Sequence, residues 1–160
     1  ICTMKKYIYL DLDGVLCLGS EIHPKLTQWG YVHRFNAKAV KVFNEILEKT
    51  EAEIIISSDW KDHYTLEDFK GIFEWQKVIK HPIDITKSLP NKTINLLEEQ
   101  RAMEILEHVD VHKPTFWVAI DDLDLKYWIN NNHFVHTPLW MEGIKQTGKK
   151  QEIINKLTIW

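Results

Sequence analysis

Three short, apolar, β-prone runs in this chain each end abruptly in acids or hydroxyls. Tyr7-Ile8-Tyr9-Leu10 meets Asp11-Leu12-Asp13, Ala52 to Ile56 meets Ser57-Ser58-Asp59, and Thr115 to Ile120 meets Asp121-Asp122. A continuously apolar run of this length reads as a strand buried on both faces, which is the pattern of a parallel sheet with helices on each side. The intervening segments agree. Asn36 caps a predicted helix whose apolar positions Ala39, Val40, Phe43, Ile46 and Leu47 follow the 3.6 period, ending near Thr50. Thr65 with Asp68 resembles a capping box opening a short helix toward Gly71, and Leu97 to Val109 reads as another helix. Lys77 to Ile85 reads as extended, Leu125 to Ile129 as a short helix, Phe134-Val135-His136 as a fourth strand, and Gln151 to Leu157 as a final helix. Residues 17–35, broken by Gly19, Pro24 and Gly30, read as irregular. The expected fold class is α/β. In a parallel sheet the strand ends share one edge, where ligands collect, so the acidic and hydroxyl tips converge on a site.

The composition supports a single domain spanning residues 1–160: 44 % hydrophobic residues suffice for a real core at this length. No apolar run approaches the ~18–20 residues of a membrane span, and the first residues lack the apolar stretch of a signal peptide. A net charge of −3 excludes a broad basic face for nucleic acid while leaving room for a small local basic pocket. Cys2 and Cys17 are too few for a disulfide framework, so a reducing, cytoplasmic setting is expected.

Asp11 and Asp13 stand at i and i+2, which in extended chain puts both carboxylates on one side. Like charges so placed need a bound cation or a shared proton. With Asp121 and Asp122 on the same edge, the set forms an all-oxygen cage suited to Mg²⁺. The alternative, acids in solvated turns or helix caps, suits Asp13-Gly14 alone better than the whole set. An EF-hand loop fits poorly, because its twelfth position falls on Ile22. The eight His residues show no pair at ligand spacing on a firmly predicted helix, and read as solvated or core. Trp60 reads as packing, with a second role as a wall of the site; Lys61, His63 and Tyr64 share its loop and could meet a phosphate or leaving group.

Taken together, these motifs resemble the haloacid dehalogenase (HAD) superfamily of phosphohydrolases. Asp11-Leu12-Asp13-Gly14-Val15-Leu16 is similar to the first motif, Ile54-Ile55-Ile56-Ser57 to the second, and Trp117-Val118-Ala119-Ile120-Asp121-Asp122 to the fourth. The segment Phe134-Val135-His136-Thr137 with Gly143-Ile144 resembles the tail of small HAD proteins related to RNA-repair modules. The resemblance implies a Rossmann-like three-layer α/β/α fold with a central parallel sheet. It implies Asp11 as the nucleophile that forms an aspartyl-phosphate and Asp13 as general acid and base. The implied Mg²⁺ ligands are Asp11, the backbone carbonyl of Asp13, and Asp122, with Asp121 adjacent or water-mediated. Ser57, Ser58 and a third-motif cation would bind the phosphoryl group. Arg101 is the choice for that cation, because its fork suits phosphate, over Lys92 and Lys113.

Such enzymes select substrates through cap insertions, and here both intervals, 17–35 and 60–97, are too short for a folded cap. A capless, open site suits a phosphorylated substrate that is a nucleotide, a nucleic-acid end or a phosphoprotein, with residues 17–35 serving as a small flap. The expected function is a Mg²⁺-dependent phosphomonoesterase. The competing reading is a catalytically silent phosphate- or nucleotide-binding module on the same scaffold.

Overall fold

The apolar runs become the centre of a parallel sheet because both of their faces are covered. The computed structural model describes residues 4–19, 23–90 and 96–158; Cys2 and Lys92 lie outside these. In chain order the elements are β1 (Lys6–Leu10), β2 (Lys25–Thr27), β3 (Gly30–Val32), α1 (Ala37–Thr50), β4 (Glu53–Ile56), α2 (Leu66–Trp75), β5 (Asp84–Ile85), α3 (Leu97–His112), β6 (Phe116–Asp121), β7 (Phe134–His136) and α4 (Lys149–Thr158). The main sheet has five parallel strands in the order β5-β4-β1-β6-β7.

Alternation along the strands divides the core in two. Ile8, Leu10, Ile54, Ile56, Val118 and Ile120 face one side, where Phe43, Ile46 and Leu47 of α1, Phe69 and Phe73 of α2, and Ile153 and Leu157 of α4 cover them. Tyr9, Ile55, Trp117 and Ala119 face the other, under Ala102 and Ile105 of α3. The result is the expected three-layer, Rossmann-like α/β/α arrangement without a large cap. Fully burying an aliphatic side chain contributes roughly 1.5–3 kcal/mol, so neither face can be solvated without heavy loss. Among the described residues, no helix is long and apolar enough to cross a membrane.

The helix ends follow local rules. Asn36 accepts from the backbone N–H groups of Lys38 and Ala39, and Thr65 and Asp68 form the reciprocal capping box. Three stretches differ from expectation. Residues 17–35 are not wholly irregular: β2 and β3 form an antiparallel hairpin, pinned where Trp29 lies against Gly71 and where Gln76 bonds the backbone of Phe35 and His33. Leu125 to Ile129 is a turn, because the N–H groups of Trp128 and Ile129 both close onto the Leu125 carbonyl. One turn already buries both Leu125 and Ile129, so a longer helix would add no core contact. In the stretch from Lys77 to Ile85, the strand is confined to Asp84 and Ile85, which pair with β4, and the Ile83 N–H donates to the Ile54 carbonyl at 2.9 Å.

The topology places the site. The chain leaves β1, builds outward through β4 and β5, and then returns across to β6. Strand order therefore reverses between β1 and β6, where ligands bind in open α/β sheets.

Candidate active site

Register delivers the strand tips to one row. Leu10 pairs with Ile56 on one side and Ile120 on the other, so the next residues, Asp11, Ser57 and Asp121, emerge together. The Asp11 N–H donates to the Ile120 carbonyl at 3.1 Å and the Ser57 N–H to the Leu10 carbonyl at 2.9 Å, carrying the ladder to the rim. Carboxylate oxygens of Asp11, Asp121 and Asp122 all lie within 4.8 Å of one another. Gly14 lets the chain turn tightly beside them: its φ is +78°, and a Cβ there would sit 2.6 Å from Asp122 Oδ2.

Arg101 crosses from α3 to meet this cluster. Its Nη1 donates to Asp121 Oδ2 at 2.6 Å and lies 3.4 Å from Asp11 Oδ1, and its Nη2 donates to Asp59 Oδ1 at 3.3 Å. Burial, joined by the Asp121 carboxylate, pushes the Asp11 carboxyl well above the usual range, against the pull of Arg101. Burial likewise pushes Asp121 up to about 6, although Arg101 and the Leu123 N–H favour its charged form. Burial works against the charge of Arg101, yet the facing carboxylates hold its pKa above the ordinary value, so the guanidinium stays charged. Two buried carboxylates, Asp11 and Asp121, share one guanidinium in a desolvated place, with Asp122 beside them. The donor set of Asp11, Asp121 and Asp122, oxygen only and crowded, fits a hard divalent cation such as Mg²⁺.

Asp13 stands apart from the carboxylate cluster. It shares a cavity of about 180 Å³ with Asp11, Asp59, Arg101 and Asp122, but its Oδ2 accepts the indole N–H of Trp60 at 3.0 Å. Trp60 is buried against Phe35 and Tyr64 and so gives this bond a fixed direction. Ser57 is fully buried, and its hydroxyl has no hydrogen-bond partner among the described residues, an unusual state for a buried polar atom. Ser58 is engaged differently: its Oγ accepts from the Trp60 N–H and caps the 3-10 turn Asp59–Asp62.

A model of the family described as "HAD domain in Swiss Army Knife RNA repair proteins" matches residues 7–147. The chain belongs to that family. The match covers the first, second and fourth motifs together with Arg101, and it agrees with both the superfamily and the RNA-repair relation expected from the motifs. No curated protein and no solved structure shows a significant match. Membership makes a phosphohydrolase-type function the one to test in this HAD domain, and Mg²⁺ the ion typical of such domains.

Within this HAD domain, Lys113 lies at the far end of α3 from Arg101, as the left-handed residue closing that helix, and does not reach the site. Lys61 is turned away too: its ammonium is buried against Glu104 Oε1 at 2.5 Å and bonds Thr86 Oγ1 at 3.2 Å. That pair joins the Ser57 loop to α3 one turn beyond Arg101. Sequence reasoning missed Asp59 as a partner of Arg101 and Trp60 as a partner of Asp13. The run Ser57-Ser58-Asp59-Trp60 placed both beside the site, but only the short 3-10 turn aims them inward.

It also missed a histidine pair at i, i+4. His108 and His112 stack on α3 with ring centroids 3.8 Å apart and planes 10° from parallel. His108 Nε2 lies 2.7 Å from Asp84 Oδ2 and its Nδ1 2.8 Å from the Tyr9 hydroxyl. Burial lowers the His108 pKa, against its bond to Asp84. Ligand directions lie in the ring planes, and two nearly parallel planes do not converge on one ion. The group is a polar bridge from α3 to the sheet edge, about 10 Å along the helix from Arg101 at 1.5 Å per residue.

Proposed function

We propose that this domain is a Mg²⁺-dependent phosphomonoesterase working through an aspartyl-phosphate on Asp11. The observation carrying the reading is the different surroundings of its two first-motif acids: Asp11 is buried in the carboxylate cluster, and Asp13 is held outside it by Trp60. An Asp11 oxygen attacks phosphorus, the bond from phosphorus to the leaving oxygen breaks, and Asp13 passes its proton to that oxygen. Asp13 then takes a proton from water, which attacks the aspartyl-phosphate, releases phosphate and restores Asp11. Ser57 and Arg101 hold the phosphoryl oxygens throughout. A divalent ion at Asp11, the Asp13 carbonyl and Asp122 would neutralise charge on the transferring group. The short hairpin in place of a cap leaves the site accessible to a phosphate on a nucleotide, a nucleic-acid end or a phosphoprotein. Membership of a family found in RNA repair proteins makes nucleic-acid ends the first to assay.

The test is release of phosphate from an aryl phosphate and from a panel of sugar phosphates, nucleotides, phosphopeptides and phosphorylated oligonucleotides. Asp11→Asn and chelation are each expected to abolish turnover. Activity that survives both overturns the reading, and tight phosphate binding with no turnover of any substrate establishes the silent module instead.

A further inference from the structure

A second cavity, about 370 Å³, adjoins the phosphoryl site and shares Asp13 and Asp122 with it. Gly14, Cys17, Leu18, Gly19, His33 and Trp140 form its other walls. Because Asp13 stands between the two spaces, a leaving group protonated by Asp13 comes to lie in this second cavity. Its lining has no Lys or Arg among the described residues, so it is not built for another phosphate. Its volume falls near the lower limit for small-ligand pockets, suited to one flat group rather than a folded segment.

Trp140 decides what kind of group. It is 60 % exposed between Leu139 and Met141, themselves 57 % and 47 % exposed, an apolar stretch at the mouth of a charged site. Exposure here is not slackness. The Gly19 N–H donates to the Trp140 carbonyl at 3.2 Å, the Leu139 N–H to Gln146 Oε1 at 2.9 Å, and the Gly143 N–H to the Leu139 carbonyl at 2.8 Å. The indole rests on Gly19 so closely that any Cβ there would overlap the ring. A tryptophan anchored by its backbone, backed by glycine and otherwise left open is a stacking platform. A further cavity of about 190 Å³ shares His33 with it and is lined by the aromatic rings of Tyr31, Trp60, His63 and Tyr64.

We propose that this cavity is a nucleoside subsite, in which Trp140 stacks the terminal base of a phosphorylated single strand while Asp13 protonates the departing ribose oxygen. The assignment rests on the phosphomonoesterase reading and adds the group that the enzyme recognises. A nucleoside fits better than a phosphotyrosine ring because an alkyl oxygen needs the proton that Asp13 is held to deliver, whereas a phenolic oxygen leaves more readily without one. With a net charge of −3 and no Lys or Arg in the cavity lining among the described residues, stacking carries most of the hold, so affinity depends weakly on salt.

The experiment compares short oligonucleotides phosphorylated at the 3′ or 5′ end, each with a normal or an abasic terminal residue, alongside a phosphotyrosine peptide. Wild-type protein is expected to prefer the normal end through KM. Stacking is worth about 1–3 kcal/mol, so Trp140→Ala should shrink that preference by roughly 5- to 150-fold and Trp140→Phe should restore most of it. An unchanged preference in Trp140→Ala, or a Trp140 dependence confined to the phosphotyrosine peptide, overturns the subsite. Binding of the same oligonucleotides to Asp11→Asn protein, followed by fluorescence anisotropy, separates the two claims. If wild-type protein releases no phosphate from any of these substrates but Trp140 still discriminates base from abasic end in the binding measurement, the phosphatase reading falls and the subsite stands. If phosphate is released without that discrimination, the reverse holds.

Discussion

Replacing Arg101 by Met keeps most of the side-chain volume and removes the charge, leaving Asp11, Asp59 and Asp121 facing one another. Arg101 is 6 % exposed, Asp11 3 % and Asp121 1 %, so solvent cannot take over its role. Removing one partner of a buried ion pair costs about 3–5 kcal/mol. For a domain of this size each kcal/mol moves Tm by about 2–4 °C, so Arg101→Met in chelator at pH 7.5 should unfold roughly 6–20 °C earlier than wild type. The loss should be smaller at pH 5, where the crowded carboxyls take up protons and no longer need a cation. Asp121→Asn placed on the Arg101→Met background should recover part of the loss, showing that the two residues interact. Near-UV circular dichroism melts of wild type, both single variants and the double variant complete the cycle. A fall under 2 °C, or an equal fall at both pH values with no recovery in the double variant, would refute the claim that Arg101 neutralises a buried acidic cluster.

The same charges give a pH dependence whose sign is fixed. Burial raises Asp121 from 3.8 to about 6 and raises Asp11 well above the usual carboxylate range, so the stability they contribute is complete below about 3.8 and lost as pH rises through their folded values. Metal-free protein should therefore lose Tm between pH 5 and 7.5, and Mg²⁺ should restore more at 7.5 than at 5; a Mg²⁺ effect independent of pH would contradict this. Gly14→Ala forces a Cβ against Asp122 at a φ of +78°, and should cost about 1–3 kcal/mol and weaken Mg²⁺ binding by calorimetry. Lys61→Met strands the buried Glu104 and should cost about 3–5 kcal/mol in chemical denaturation, with Lys61→Met/Glu104→Gln recovering part of it.

Much of the architecture was legible because it is written locally. Apolar runs of strand length, the Asn36 cap, the Thr65–Asp68 box and the acids closing two of the strands are short-range signals, and parallel pairing then leaves their tips only one shared edge. The choice of Arg101 over Lys113 was also within reach, since only the start of α3 meets that edge. The hairpin at 25–32 was harder, because three-residue strands carry too little alternation to register against Gly and Pro nearby.

The contacts that tune the site were not legible. Asp13 with Trp60 spans 47 positions, Lys61 with Glu104 spans 43, and Arg101 with Asp59 spans 42. No local pattern encodes such pairs, because a side chain's partner depends on which helix the crossovers lay over which strand. The chain alone determined that acids and hydroxyls would meet at a sheet edge. Only the packed layers decided that one carboxyl would be buried with a guanidinium while its neighbour two residues on was turned aside by an indole, and that difference in surroundings is what gives two identical side chains different chemistry.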